Sequence, residues 1–167
     1  MESVGYDMYL KLLGEAVSEE KGEAAQSADL DCLIDISVNA HIPESYVESL
    51  TLRLDVYRRI ADIRNKEDSL DVKDELKDRF GEIPESVLGL IDIALIRNCA
   101  NAMGIYEIRQ TDTNVLLFVK EIKSPKVIEL LSRLNGRAML SAGNKPYITI
   151  RCGGGSSLDM LKKVFKI

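Results

Sequence analysis

A pattern of two strands followed by a helix occurs twice in the last third of the chain, and it constrains the fold more than any other feature. Residues 106–120 predict two short strands joined across TDTN, and a helix follows from Pro125. Residues 137–152 predict two more strands across GNK, and a second helix follows a glycine turn. Each unit alone buries too little apolar surface to be stable, so we predict that the four strands form one small sheet with two helices on a face.

The chain before this repeat is mostly helical in its spacing. Alternation in CLIDISV, residues 32–38, predicts one half-buried strand. Three helices are then predicted, over about residues 44–64, 69–80 and 84–103. Pro43 precedes the first of them, and Gly81 and Gly104 end the other two with a residue that tolerates a left-handed backbone. The sequence thus predicts an α+β fold, with a helical N-terminal half packed with a four- to five-stranded sheet built from two strand–strand–helix units.

Apolar residues recur at helical spacing within these segments. In the first helix they are Val47, Leu50, Leu54, Tyr57 and Ala61, and in the second they are Val72, Leu76 and Phe80. The third helix is apolar on most sides and is predicted to be the central one. Residues 4–17 predict a further helix, and the charged segment SEEKGEAAQSADLD after it is typical of a linker, so this first helix belongs to a different structural unit.

Composition excludes several classes of function. The 167 residues carry a net charge of −5 with a pI of about 5.0, which argues against nucleic-acid binding by the domain as a whole. Aromatic residues make up 5% and tryptophan is absent, which disfavours a base-stacking platform. Cys32, Cys99 and Cys152 are far apart and are expected to be reduced thiols. With neither a signal peptide nor a membrane span predicted, we expect a cytoplasmic protein without a membrane partner.

The search for catalytic groups finds weak candidates. His41 is the single histidine and is expected to be a solvated loop residue, and no Cys/His cluster has the spacing of a metal site. The Gly153–Ser157 turn could serve a small enzyme that binds a phosphorylated ligand, although Ser156 or Ser157 more simply caps the final helix. The Arg53–Arg64 helix could contact DNA, although its four arginines, Arg53, Arg58, Arg59 and Arg64, could equally pair with Asp55 and Asp62.

The second helix ends in DELKDRFGEIP and carries an unusual charged face. With Leu76 facing inward, Asp71, Asp74, Glu75 and Asp78 gather on the outward side, with Arg79 at its edge. Glu75 and Arg79 form a favourable pair, but four carboxylates on one short face repel each other. This face is either a solubilising surface or a docking face for a basic partner. Docking requires that the side chains point outward and that arginines of the same domain do not neutralise them.

Four segments resemble, in this order, the C-terminal end of the bacterial transcription-repair coupling factor family. They are VGYDMYLKLLGEAV, IPESYVESLTLRLDVYRRI, ELKDRFGEIPESV and IRNCANAMGI, and the resemblance is strongest over residues 42–105. It implies that the chain is a non-catalytic fragment of a longer ATP-dependent DNA translocase, which removes RNA polymerase stalled at DNA lesions and recruits the repair protein UvrA. Residues 1–27 would be the terminal helix of that motor plus a linker, and residues 28–167 the C-terminal regulatory domain.

The resemblance also implies a role for the charged helix. In the family the terminal domain docks on a UvrB-like N-terminal module, which masks UvrA binding and restrains the motor. By position the docking contacts fall on Glu75, Asp78 and Arg79, and we add Asp71 and Asp74 on geometry alone. The fragment itself is expected to need no cofactor, because the ATP, magnesium and double-stranded DNA sites would lie in the motor.

Overall fold

The structure, a computed structural model, describes residues 32–167, which fold into five helices and a five-stranded sheet. The elements in chain order are β1 (Leu33–Asp35), α1 (Leu50–Ala61), α2 (Lys66–Phe80), α3 (Glu85–Ala102), β2 (Ile105–Gln110), β3 (Asn114–Val119), α4 (Pro125–Leu134), β4 (Ala138–Ser141), β5 (Tyr147–Arg151) and α5 (Ser157–Phe165). The predicted α+β fold is confirmed. The predicted helix over residues 4–17 and the linker after it lie outside the described residues. Among the described residues, 38–95 form one unit, and 32–37 with 96–167 form a second.

The first helix of the first unit begins later than predicted. Pro43 opens only a single turn, because its carbonyl accepts hydrogen bonds from the backbone N–H groups of Tyr46 and Val47. The helix proper starts at Leu50, where the Ser49 side chain accepts a hydrogen bond from the N–H of Leu52 and caps the helix. The predicted range of 44–64 was therefore too long at both ends, since α1 ends at Ala61.

The buried side of α1 also differs from the predicted stripe. Its buried residues are Val56, Tyr57, Ile60 and Ala61, whereas Leu50 is 54% exposed. The Tyr57 hydroxyl accepts a hydrogen bond from the N–H of Ile42 at 2.9 Å, which satisfies its polar end in the core. Leu50 stays exposed because it stands at the first turn of the shorter helix, beyond the core residues.

Helix α2 is defined by a cap at each end. Asn65 and Asp68 form a reciprocal capping box, so the helix begins three residues before the predicted start at Ser69. Gly81 ends it with φ 86° and ψ −155°, a region open essentially to glycine alone. A glycine stop was predicted there, but its ψ lies outside the left-handed helical region that we expected. Val72 and Leu76 are fully buried, as predicted, while Phe80 is half-buried at the helix end.

Helix α3 is the most buried helix of the described residues. Of its 18 residues, only Glu85 and Ala102 are exposed. The helix also carries two buried charged residues, Asp92 at 8% and Arg97 at 5% exposure. No helix among residues 32–167 is long and apolar enough to cross a membrane.

The sheet joins both predicted repeats to the early strand. Its order is β1-β2-β3-β5-β4, with β1 parallel to β2 and all other neighbours antiparallel. The two hairpins meet where β3 pairs with β5, so the two strand–strand–helix units share one sheet, as predicted. Strand β1 alternates as expected, with Ile34 buried between the exposed Leu33 and Asp35.

One face of this sheet is buried and the other is not. The buried face consists of Ile108, Val115, Leu117, Val119, Ile148 and Ile150. The apolar sides of α4 and α5 are buried in the same unit, through Val127, Leu130, Leu161, Val164 and Phe165. The opposite face is half-exposed and carries a row of three aromatic rings, Tyr106, Phe118 and Tyr147, with centroids 6.2 Å and 5.4 Å apart.

Candidate functional site

The charged face of α2 is placed by the burial of Val72 and Leu76, which turns the opposite side of the helix to solvent. Asp71, Asp74 and Asp78 are all exposed on that side. Within residues 32–167, none of these three carboxylates makes an ion pair. For these aspartates, both conditions that docking requires are therefore met by the described part of the chain.

Glu75 differs from the three aspartates because two arginines already hold its carboxylate. Its Oε1 lies 3.0 Å from Nη1 of Arg79, which is the predicted helical pair. Its Oε2 lies 3.0 Å from Nε of Arg59 on α1. The hydrogen bond from Arg59, more than the one from Arg79, lowers the pKa of Glu75 against the opposing effect of burial. Both oxygens of the Glu75 carboxylate are thus already engaged by arginines of the first unit.

The role of Arg59 was missed at the sequence level. We had considered ion pairs from the arginines of α1 to Asp55 and Asp62, and Arg58 does pair with Asp55 at 3.6 Å. Arg59 instead reaches α2, and Asp62 has no ion pair within the described residues. Arg59 and Glu75 are 16 positions apart, so no local spacing rule could have found this pair.

Aromatic residues hold the C-terminal end of α2 in place. The Arg79 guanidinium lies 4.9 Å from the centroid of the Phe80 ring, and the Tyr46 ring is 5.8 Å from that ring. The Tyr46 hydroxyl is 3.2 Å from the carbonyl oxygen of Leu76 and 3.3 Å from that of Gly81. These contacts fix the end of the helix beside the three aspartates. Tyr46, Arg79 and Phe80 also line, together with Leu52, an open surface pocket of about 680 Å³.

Most of the arginines that a DNA-contacting surface would need are already engaged by other groups of the chain. Arg53 donates from Nη1 to the backbone carbonyls of Val47 and Glu48, and its Nη2 pairs with Glu44. Arg58 and Arg59 are engaged by carboxylates, as described above. All three arginines of α1 are therefore engaged within the first unit, whereas Arg64 lies beyond the end of the helix.

The glycine turn is explained by its backbone. Gly153 and Gly154 have φ values of 49° and 81°, which let the chain pass sharply from β5 into α5. Ser156 occupies the predicted N-cap position, but its hydroxyl makes no capping hydrogen bond. The Ser157 Oγ lies 3.7 Å from the Cys152 Sγ instead. The predicted side-chain cap is therefore wrong, although the helix boundary is right.

The other reactive side chains do not converge on a site. His41 is half-buried in the segment before Pro43, and residues 32–167 hold no cluster of three or more metal-binding side chains. Cys32, Cys99 and Cys152 form no disulfide within the described part of the chain. Cys32 is buried, and burial raises the pKa of the Cys99 thiol. Neither thiol therefore has the electropositive, accessible surroundings of a reactive cysteine.

Comparison with known proteins identifies a domain family. The sequence model described as the TRCF domain matches residues 36–129. The transcription-repair-coupling factor of Bacillus subtilis is 31% identical over 170 residues, and that of Staphylococcus epidermidis is 33% identical over 130. These matches cover 98% and 77% of this chain, but only 14% and 11% of the two relatives. The chain thus spans about a seventh or less of the length of these curated relatives.

A solved structure shows the same fold. The crystal structure of a C-terminal domain of transcription-repair coupling factor superposes with a TM-score of 0.71 at 18% identity. The match covers 81% of this chain and 88% of that one, so the helices and the sheet correspond over nearly the whole of the solved domain. Because the family model also covers more than half of the sequence, this chain belongs to the TRCF domain family.

Proposed function

We propose that the chain is the C-terminal regulatory domain of a transcription-repair coupling factor, and that it acts by docking on the UvrB-like module of the same polypeptide. In this proposal residues 28–167 form the regulatory domain, and residues 1–27 are the last helix of the motor plus a linker. The chain catalyses no reaction itself. ATP, magnesium and double-stranded DNA bind elsewhere in the longer protein, which removes stalled RNA polymerase and recruits UvrA.

The observation that carries this proposal is that Asp71, Asp74 and Asp78 of α2 are exposed and make no ion pair within residues 32–167. Asp71 and Asp74 are three positions apart, and Asp74 and Asp78 are four apart, so each pair shares one side of the helix. Each such like-charged pair destabilises a helix by about 0.2–0.5 kcal/mol. A basic surface placed against the face would remove this repulsion, so the geometry favours a cationic partner.

Glu75 and Arg79 take different parts in this proposal. Because Glu75 is held by Arg59 and Arg79, it acts by positioning the two arginines rather than by meeting the partner itself. Asp78 and Arg79 are neighbours at the end of the helix, and both are exposed. A partner surface with a positive charge beside a negative charge could pair with Asp78 and Arg79 in one position only. This arrangement contributes more to the specificity of docking than to its affinity.

Docking of this kind would work as a latch. Exposed ion pairs contribute only about 0–1 kcal/mol each, so a few of them would not hold two separate proteins together. When the partner module belongs to the same polypeptide, the contact is intramolecular and even weak docking becomes populated. A weak latch also opens readily when RNA polymerase favours the extended state, which would uncover the UvrA-binding surface and release the motor.

The test reverses the charge of the aspartates in the full-length protein. Asp74→Lys is compared first with Glu129→Lys, an exposed carboxylate on α4 that undergoes the same change of charge. The triple variant Asp71→Lys, Asp74→Lys, Asp78→Lys follows. We expect the triple variant to capture UvrA without RNA polymerase about tenfold more than the wild type, because three weak contacts are lost together.

The control and the contrary result are both well defined. Glu129→Lys should leave UvrA capture at the wild-type level, and circular dichroism should show that all variants are folded. If the folded triple variant captures no more UvrA than the wild type, the aspartates do not hold the latch and the proposal fails.

A further inference from the structure

The rings of Tyr106, Phe118 and Tyr147 form a row (the ring row) across three neighbouring strands, on the half-exposed face of the sheet. Phe118 lies directly opposite Tyr147 in the β3–β5 register, so their side chains share a face. An irregularity in the β2 register adds the third ring, because Ile105 and Ile108 are both buried and Tyr106 between them turns to the opposite face. Three of the nine aromatic residues of the chain are thus gathered on one surface.

A cation lies over the middle ring of the row. The Arg109 guanidinium is 5.4 Å from the centroid of the Phe118 ring, and it pairs with the Glu107 carboxylate. A nucleic-acid base that approaches here would meet the guanidinium plane, and bases stack on guanidinium planes as well as on aromatic rings. With Tyr106 and Tyr147 on either side, the row presents several flat groups next to one another. A sheet face with such groups on neighbouring strands is an arrangement by which small domains bind single-stranded RNA.

The unit that carries the ring row has a net charge of opposite sign to that of the whole chain. The described residues of this second unit, 32–37 and 96–167, contain 12 lysines and arginines against 6 aspartates and glutamates, a net charge of +6. Residues 38–95 of the first unit contain 8 against 13, a net charge of −5. The acidity of the chain as a whole therefore hides a basic unit, and it does not exclude nucleic-acid binding by that unit.

Two exposed lysines lie at the end of the sheet that carries the ring row. Lys120 directly follows β3, and Lys145 comes two positions before the start of β5. The two segments are joined by a hydrogen bond from the N–H of Val119 to the carbonyl of Pro146, at 3.1 Å. Lys145 makes no ion pair within residues 32–167, and Glu121 is the single acid within two positions of either lysine. This end of the sheet therefore combines flat rings with positive charge.

We propose that the ring row and the two lysines beside it bind single-stranded nucleic acid, with bases stacked on the row and phosphates against the lysines. The rings favour a nucleic acid over an acidic peptide, because every base adds a flat face for stacking and acidic side chains have none. They favour a single strand over a duplex, because paired bases are stacked on each other and do not reach the rings. The proposal does not depend on the docking of α2, which uses residues of the first unit.

Fluorescence anisotropy of a labelled oligothymidylate of about 12 nucleotides measures binding to the 167-residue chain. We expect binding that weakens steeply as the salt concentration rises, because phosphate contacts release counterions. Tyr106→Leu and Tyr147→Leu should each raise the Kd about fivefold or more, since a stacking surface is lost. Tyr147→Phe is the matched control, because it keeps the ring, and it should bind as the wild type does. An oligouridylate of the same length shows whether the surface prefers DNA or RNA.

A pair of charge reversals separates this surface from general electrostatic attraction. Lys145→Glu should raise the Kd about fivefold or more at low salt, whereas Lys66→Glu, an exposed lysine at the start of α2, should change it much less. Circular dichroism checks that each variant is folded. The proposal is overturned if the whole chain, with residues 1–31 present, binds no oligonucleotide at about 100 µM in low salt. It is equally overturned if the leucine variants bind as tightly as Tyr147→Phe, if Lys66→Glu weakens binding as much as Lys145→Glu, or if a duplex of the same length binds as tightly as the single strand.

Discussion

Helices α2 and α3 are neighbours in the chain and similar in length, yet they bury very different parts of their surfaces. In α3 every residue except Glu85 and Ala102 is buried or half-buried. In α2 the buried residues are only Ser69, Val72 and Leu76. A helix that is apolar on all sides must stay in the core, whereas a helix held by one narrow stripe leaves most of its surface available for binding. The contrast distinguishes residues that stabilise the fold from residues that a partner could contact.

The largest expected effect on stability comes from shortening a fully buried side chain in each helix. Ile91→Ala in α3 and Leu76→Ala in α2 each remove a side chain with no exposed surface. Each should lower the free energy of unfolding by about 2–5 kcal/mol, because apolar contacts are lost and a cavity remains. Urea unfolding of both variants measures this. A loss well below that range for Leu76→Ala alone would mean that α2 is held mainly by its ends and not by its apolar stripe.

An intermediate effect is expected from the pair of arginines around Glu75. Because the folded state lowers the pKa of Glu75, its stabilising contribution is present above the ordinary pKa of a glutamate and is lost as the pH falls through the lowered value. At neutral pH, Glu75→Gln should lower the free energy of unfolding by about 0.2–1 kcal/mol for each of the two exposed pairs.

Unfolding curves at neutral and acidic pH test this contribution. The difference between the wild type and Glu75→Gln should shrink towards zero on acidification, because the wild-type carboxyl then becomes neutral as well. A double-mutant cycle with Arg59→Ala isolates the pair between the helices. A difference that is the same at both pH values would show that the charge of Glu75 contributes nothing and that the variant acts through packing.

The smallest expected effect on stability comes from the exposed aspartates. Changing Asp71, Asp74 and Asp78 together to asparagine should leave the fold intact and stabilise it slightly, by about 0.2–0.5 kcal/mol for each like-charged pair removed. The gain should be larger in low salt than in high salt, since screening already weakens the repulsion. Urea unfolding at two salt concentrations measures it. A clear loss of stability would mean that these carboxylates have partners within the chain, and the contrast with α3 would then be wrong.

Much of the fold could be predicted because its signals are local. The apolar residues of Asn114–Val119 and Tyr147–Arg151, with a turn before each segment, predicted two strands. Val72 and Leu76, one helical turn apart, specified the buried side of α2. The start of α1 was missed because a proline signal at Pro43 outweighed the serine cap at Ser49. Both signals are local, and the sequence alone does not say which of two possible starts the helix uses.

The candidate site was only partly predictable, for a related reason. The outward direction of Asp71, Asp74 and Asp78 follows from helical geometry once Leu76 is placed inside. The ion pair between Glu75 and Arg59 does not follow from helical geometry, because it depends on how the side chains of two different helices are placed relative to each other. The same holds for Tyr46, whose hydroxyl reaches carbonyl oxygens 30 and 35 positions away.

The sequence by itself determined which segments form helices and strands, which side of α2 is apolar, and which helix carries an acidic face. These properties depend on neighbours within one or two turns of the same segment. Only the tertiary structure decided which carboxylates make ion pairs within residues 32–167, that β1 joins β2 across more than 70 positions, and that β4 lies at the edge of the described sheet. Those outcomes depend on how separate segments pack, and the distances between their side chains are not written in any local pattern.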